Sequence, residues 1–140
     1  MIDIKHLSIT FDRVIFDDAS ITLSNNSITM IKGKSGTGKT TLLNQLGLVA
    51  PLACDYLMEG HSIDDPLTTR KEKIGYVHQE STLFNNMTIR ENMEFAFLLS
   101  GQEYNETRMN DILCSMKIEH LLNQTPDHVS GGARQRAAIA

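Results

Sequence analysis

The strongest chemical signal in the sequence is a glycine-rich segment, GKSGTGKT, which runs from Gly33 to Thr40. It fits the pattern G-x-x-x-x-G-K-[ST], in which the backbone N–H groups of a loop surround phosphate groups. Because glycine has no Cβ, the backbone can turn tightly and approach phosphate oxygens closely. The N–H groups and the dipole at the start of the following helix also favour an anion. The pattern therefore predicts a phosphate-binding loop.

Side chains at the end of this loop have the chemistry to bind a polyphosphate and its metal ion. Lys39 supplies a charge for the β and γ phosphates, the Thr40 hydroxyl suits Mg²⁺, and Thr41 is placed for the α phosphate. The other predicted phosphate-binding residues are Gly33, Ser35, Gly36, Thr37 and Gly38. The alternative is a glycine-rich turn that merely joins a strand to a helix.

The segments on either side of the loop favour phosphate binding over a plain turn. Residues 27–31, SITMI, are nearly continuous in apolar and β-branched residues, which predicts a strand covered on both faces, as in a parallel sheet. After the loop, apolar residues recur at helical spacing and predict a helix that packs one face on the sheet. These residues are Leu42, Leu43, Leu46 and Val49.

The rest of the sequence predicts strands in the first half and helices in the second. Apolar patterning predicts strands at 2–4, 14–16, 21–23, 55–60 and 73–79, with a turn at Asn25–Asn26. Thr88 and Glu91 have the spacing of a capping box, and Gly101 stands where that helix would end. A second amphipathic helix is predicted from Met109, Ile112, Leu113 and Met116. The fold class is therefore α/β, with a helical insertion after a β-rich first half.

Composition excludes several classes of protein. The 140 residues are 41% hydrophobic and 21% charged, as in ordinary globular domains. The net charge of −4 argues against a nucleic-acid-binding face, so we expect no nucleic-acid partner. The apolar stretches are too short to cross a bilayer, and the first residues do not resemble a signal peptide. We therefore expect a cytoplasmic location, with Cys54 and Cys114 as reduced thiols.

Beyond the loop, the order of motifs resembles the ATP-binding-cassette (ABC) ATPases, the subunits that power ABC transporters. KIGYVHQ is similar to the strand that ends in the family's Q-loop, which implies that Gln79 reaches Mg²⁺ and the attacking water. NMTIRENM resembles the segment that opens the helical subdomain, and PDHVSGGARQR resembles the signature motif. Phe11 matches the aromatic residue that stacks on adenine in the family. Each motif alone has a simpler interpretation, and it is their order and spacing that support the family.

The resemblance implies a P-loop NTPase fold of the ABC type. Such a fold has an antiparallel N-terminal β subdomain, a parallel-sheet core and an inserted helical subdomain. The whole chain, 1–140, is then a partial ABC ATPase domain. Its implied parts are a nucleotide-binding core at about 1–80, a helical subdomain at about 86–130, and the signature motif with the start of its helix at 129–140.

The signature motif predicts a partner subunit. Ser130 is suited to cap the helix that follows, and Gly131 and Gly132 leave their N–H groups bare at its positive end. In the family, this helix end binds the γ phosphate held by a second copy, which implies a head-to-tail dimer around two ATP molecules. Val129 and Ala133 stand where the family usually has leucine and glutamine, and the alanine lacks a hydrogen-bonding side chain.

The sequence also lacks motifs that follow the signature in the family. No apolar run ends in Asp-Glu, the Walker B pattern, and no switch histidine follows it. Because these residues position the attacking water, we expect the 140-residue chain to bind ATP and to be deficient in hydrolysis. We also expect the chain to be a truncated piece of a longer protein.

The predicted function is the ATP-binding and hydrolysing subunit of an ABC transporter. Its implied ligands are ATP and Mg²⁺, and its implied partners are a second ATPase subunit and a separate transmembrane permease on the inner face of the membrane. The segment 43–60 resembles the lipoprotein-release, macrolide and bacteriocin export branch. The alternatives are a soluble ABC ATPase of DNA repair or translation, and a non-catalytic nucleotide-binding module. No heptad run for a repair-type coiled coil is present.

Overall fold

The computed structural model of the protein describes residues 1–79, 82–101, 103 and 105–140. These residues form two compact units, Met1–Tyr76 and Val77–Ala140. The predicted division of the chain at about residues 80 and 86 stays a prediction.

The first unit contains a four-stranded antiparallel sheet in the order β2-β1-β3-β4. The strands are β1 (Ile2–Thr10), β2 (Val14–Leu23), β3 (Asp55–Met58) and β4 (His61–Ser62). β1 is central because it pairs with β2 on one side and with β3 on the other, so Ile4 lies between Ile21 and Tyr56. The predicted segments 14–16 and 21–23 are parts of a single strand, and the turn at 25–26 is confirmed.

Two helices accompany this sheet. Helix α1 (Lys39–Leu46) buries Leu42 and Leu46, which are four residues apart, in one core with Ile4 and Leu7 of β1. This contact confirms the predicted helix packed on the sheet, although Leu43 is 44% exposed and Val49 lies beyond the end of α1. Helix α2 (Pro66–Lys73) was not predicted, although Asp65 before Pro66 is a typical helix start.

Two predicted strands are wrong in this structure. Residues 27–31 form no strand, and Ile28 and Met30 are 100% and 72% exposed. Residues 74–79 are not in a strand either, and Lys73 belongs to α2. A strand requires hydrogen bonds to a neighbour, and every pairing among the described strands is antiparallel and involves other residues. An apolar run predicts burial, whereas its strand partner depends on residues distant in sequence.

The second unit is helical. It contains α3 (Ile89–Ser100), α4 (Glu106–Met116) and α5 (Gly131–Ile139), with short 3₁₀ turns at Glu119–Leu121 and Pro126–His128. The capping box is confirmed, because the Thr88 hydroxyl accepts from the Glu91 N–H at 3.2 Å and the Glu91 carboxylate accepts from the Thr88 N–H at 2.7 Å. Gly101 ends α3 with φ +68°, also as predicted.

The core of this unit brings the three helices together. Its buried residues are Ile89, Met93, Met109, Leu113, Ile118 and Ala137. Met109 and Leu113 lie on one face of α4, which confirms the predicted amphipathic pattern. The buried Asn92 side chain bonds the backbone N–H and carbonyl of Phe84, at 2.7 and 3.1 Å, so the segment before α3 is tied to the helix.

Candidate functional site

The glycine-rich segment forms an exposed loop that leads into α1. Gly36 and Gly38 have φ values of +75° and +92°, in the left-handed region that favours glycine. Gly38 also has no room for a side chain, since an added Cβ would lie 2.4 Å from Cγ2 of Ile15. The loop is therefore held closely against β2, with a backbone conformation that glycine alone adopts without strain.

The ammonium group of Lys39 folds back over this loop. Its Nζ donates to the carbonyl oxygens of Gly33 and Lys34, at 2.9 and 2.7 Å. The Thr37 hydroxyl donates to the same Lys34 carbonyl at 2.9 Å. Among the described residues, no carboxylate forms an ion pair with Lys39.

The start of α1 also offers positive potential. Gly38 is its N-cap residue, and within the described part of the chain no side chain makes a capping hydrogen bond there. No acidic residue lies in the first turn. The Thr40 side chain is exposed and Thr41 is half-buried, while Ser35 lies in the exposed part of the loop. Bare N–H groups and a helix dipole at this position favour an anion.

The other end of α1 is anchored by buried hydrogen bonds. The Tyr56 hydroxyl of β3 donates to the Leu46 carbonyl at 2.9 Å. The Gln45 side chain donates to the Pro51 carbonyl at 2.9 Å and accepts from the Ala53 N–H at 3.0 Å. Burial raises the pKa of Tyr56 to about 12 and also raises the pKa of the Cys54 thiol. These contacts fix the helix whose first turn completes the loop.

The hairpin turn between β1 and β2 lies beside the loop. Phe11 is 66% exposed, and its N–H donates to the Arg13 carbonyl at 3.0 Å. The Arg13 side chain donates from Nη2 to the carbonyl of Gly36 at 2.5 Å. Phe11 was predicted from the sequence to be a site residue, and Arg13 was not. The signal that could have found Arg13 is its position as a basic residue two places after Phe11, in the same short turn.

The remaining predicted site residues lie in the second unit. Ser130 is the N-cap of α5, and its hydroxyl accepts from the Ala133 N–H at 3.3 Å, which confirms the predicted cap. Gly131 and Gly132 follow as exposed residues of the first turn. The exposed Gln79 and Gly131 line one polar cavity of about 390 Å³, together with His78, Asn85, Arg134, Gln135 and Ala138.

No group of three or more His, Cys, Asp and Glu in the described ranges is placed to hold a metal ion. No helix of residues 1–79, 82–101 and 105–140 is both long and apolar enough to cross a membrane.

The family model of the ABC transporters matches residues 16–140. This chain belongs to the ABC transporter family. It is 33% identical over its whole length to the ABC transporter ATP-binding protein YxdL of Bacillus subtilis, and it covers 59% of that protein. Over 87% of its length it is 38% identical to the molybdenum import protein ModC of Photobacterium profundum, of which it covers 35%.

Solved structures agree with the family. The dimeric structure of MJ0796, a bacterial ABC transporter cassette, matches 99% of this ABC chain with a TM-score of 0.82 and 28% identity. The chain covers 67% of that cassette. The same cassette in a dimeric post-hydrolysis state with ADP and Pi matches with a TM-score of 0.84 and 25% identity. The predicted fold class, an ABC-type P-loop NTPase, is confirmed.

Proposed function

We propose that this chain is the ATP-binding part of an ABC transporter subunit that powers transport by ATP binding and hydrolysis. The observation that carries this proposal is the Lys39 ammonium, held over the loop by two backbone carbonyls and paired with no carboxylate in the part of the chain that the structure describes. A cation placed in this way, beside glycines in the left-handed region, suits the phosphate chain of ATP.

The roles of the loop residues follow from their positions. Backbone N–H groups from Gly33 to Thr41 surround the phosphates, and Lys39 stabilises the charge of the β and γ phosphates. Exposed Phe11 stacks on the adenine ring. Thr40 and Gln79 each carry a side-chain oxygen, the ligand type that Mg²⁺ prefers, and each would be a ligand of the ion. When bound, Mg²⁺ supplies charge neutralisation at the phosphates.

Gln79 and Lys39 are the proposed catalytic residues of the chain. We propose that Gln79 orients the attacking water, because its exposed side-chain amide can both donate and accept a hydrogen bond. The printed sequence has no Asp-Glu pair after an apolar run. We therefore propose that these 140 residues by themselves bind ATP without hydrolysing it.

A second copy is the proposed partner for the start of α5. Ser130, Gly131 and Gly132 offer a capped but exposed helix N-terminus, which suits the γ phosphate of ATP held by the other copy. The dimeric state of the MJ0796 cassette supports this arrangement. A transmembrane permease would hold the dimer at the cytoplasmic face of the membrane. The relatives include a molybdenum importer and, in Campylobacter jejuni, a macrolide exporter, so both directions of transport fit this cassette.

Substitution of the loop lysine tests the proposal. Lys39→Ala is expected to weaken ATP binding by about tenfold or more, because a charge-assisted hydrogen bond is lost. The matched control is Lys71→Ala, which removes the same charge from α2. Binding is measured by titration calorimetry, with circular dichroism as a check on folding. Equal ATP affinity in the parent protein and Lys39→Ala would contradict the phosphate-loop assignment.

A further inference from the structure

The side chain of Arg13 reaches the phosphate loop from the neighbouring hairpin. Its Nη2 lies 2.5 Å from the carbonyl oxygen of Gly36, and a Cβ added to Gly36 would lie 3.6 Å from the same nitrogen. The guanidinium therefore lies beside the backbone of the loop. None of the ion pairs found among the described residues includes Arg13, so its charge is balanced there only by the carbonyl dipole.

The backbone places Arg13 at this position. Thr10 pairs with Val14, so residues 11–13 form the short turn between β1 and β2. Two residues beyond Arg13, Ile15 occupies the space next to Gly38 of the loop. Both ends of the loop's left-handed part, Gly36 and Gly38, are thus in contact with one hairpin. The cation is held at the loop by this packing as well as by its own hydrogen bond.

We infer that Arg13 is a second positively charged ligand of the nucleotide phosphates, which acts together with Lys39. This inference rests on the proposed function of the loop. A guanidinium has five N–H donors in a planar arrangement that matches phosphate oxygens, and the contact with Gly36 uses one of them. The Lys39 ammonium lies over the loop, where it donates to the Lys34 carbonyl. Arg13 lies at the edge of the loop, in the same turn as Phe11. Arg13 recognises phosphate and not the base.

Two probes separate phosphate recognition from base recognition. ATP offers both, whereas inorganic tripolyphosphate offers phosphate alone. Arg13→Gln keeps a side-chain N–H for the Gly36 carbonyl and removes the charge, and it is expected to weaken the binding of both probes by about tenfold. Phe11→Ala is expected to weaken ATP binding and to leave tripolyphosphate binding unchanged. Arg70→Gln, which removes the same charge from α2, is the matched control and is expected to bind both probes like the parent protein.

A second variant separates charge from the docking of the hairpin. Arg13→Lys keeps the charge and loses the planar arrangement of donors, so it is expected to bind tripolyphosphate more weakly than the parent protein but more tightly than Arg13→Gln. The salt dependence of tripolyphosphate binding should also be weaker in Arg13→Gln than in Arg13→Lys, because fewer charges contact the anion.

The outcomes distinguish this inference from the proposed function. If Arg13→Gln weakens neither probe while Lys39→Ala weakens both, Arg13 is not a ligand and the phosphate loop stands. If Arg13→Gln weakens ATP alone, or if Arg13→Lys and Arg13→Gln lose equal affinity for both probes, the inference is overturned in favour of a base contact or a purely structural role. If Lys39→Ala weakens neither probe, the proposed function fails, and the inference fails with it.

Discussion

Ile15 occupies the space that a side chain on Gly38 would need. Its Cγ2 lies 2.4 Å from the position of an added Cβ, and the φ value of Gly38 is +92°. Gly38, the N-cap residue of α1, is thus packed closely against Ile15 near the start of β2. Arg13 of the same hairpin donates to the carbonyl of Gly36, which lies 23 positions away in the sequence. Two residues of the hairpin therefore contact two glycines of the phosphate loop.

Gly38→Ala should therefore disturb both folding and binding. The alanine is strained in the left-handed region and collides with Ile15, so we expect a loss of about 2 kcal/mol or more in the free energy of unfolding. ATP binding should weaken as well, because the loop must move away from β2. Urea denaturation and calorimetry measure the two effects. Gly75→Ala is the control, since an added Cβ there meets nothing within 4 Å; equal stability of the two variants would contradict the prediction.

Tyr56→Phe should destabilise the first unit without affecting the loop directly. The hydroxyl donates to the buried Leu46 carbonyl at 2.9 Å, and its loss leaves that carbonyl without this donor. We expect a decrease of about 1 kcal/mol in the free energy of unfolding, measured by urea denaturation at neutral pH. An unchanged midpoint would show that the bond contributes nothing.

Alkaline pH should reveal the burial of the same side chain. Burial raises the pKa of folded Tyr56 to about 12 from an ordinary value of 10.0. The folded state thus retains the proton longer than the unfolded state. The resulting stability is complete below about pH 10 and is lost as the pH rises through about 12. An ultraviolet titration of the tyrosines should contain one group that titrates near pH 12 and is absent in Tyr56→Phe; a titration identical in both proteins would refute the assignment.

Substitutions at Ser130 separate its role as a cap from its proposed role at the dimer. Ser130→Ala removes the acceptor for the Ala133 N–H and should cost about 1 kcal/mol of stability. Ser130→Asp keeps a capping oxygen, so its stability should match that of the parent protein. Its negative charge should nevertheless prevent ATP-driven self-association, because it would face the γ phosphate of the other copy. Light scattering with and without ATP measures association, and unaltered association in Ser130→Asp would exclude the shared site.

Mild acid should weaken the contact that joins the chain's first residue to the end of β3. The pKa of the Glu59 carboxyl is lowered, first by its hydrogen bond with the N-terminal ammonium and then by Asn25. Because the folded pKa lies below the ordinary value of 4.5, the stabilisation is present above that pH and is lost as the pH falls through the folded value. Glu59→Gln should show less acid destabilisation in pH-dependent melting than the parent protein. The control Glu72→Gln should behave like the parent, and identical acid profiles for all three proteins would disprove the contact.

Features that depend on neighbours in sequence were predictable. The capping box at Thr88 and Glu91, the Ser130 cap and the helix end at Gly101 each involve residues within a few positions of one another, so side-chain type and spacing determine them. In the glycine pattern of residues 33–40, Gly36 and Gly38 adopt left-handed φ values, whereas Gly33 does not.

Only the tertiary structure decided which distant residues meet. The apolar run 27–31 specified a preference for burial, but a strand forms only where another strand supplies hydrogen bonds, and no described strand pairs with it. The meeting of Arg13 with Gly36, of Ile15 with Gly38 and of Tyr56 with Leu46 was equally absent from any local pattern. Local spacing sets the conformation of a segment because the interacting groups are adjacent in the chain. Contacts across the fold depend on how whole elements pack, and that packing is set by all of their residues together.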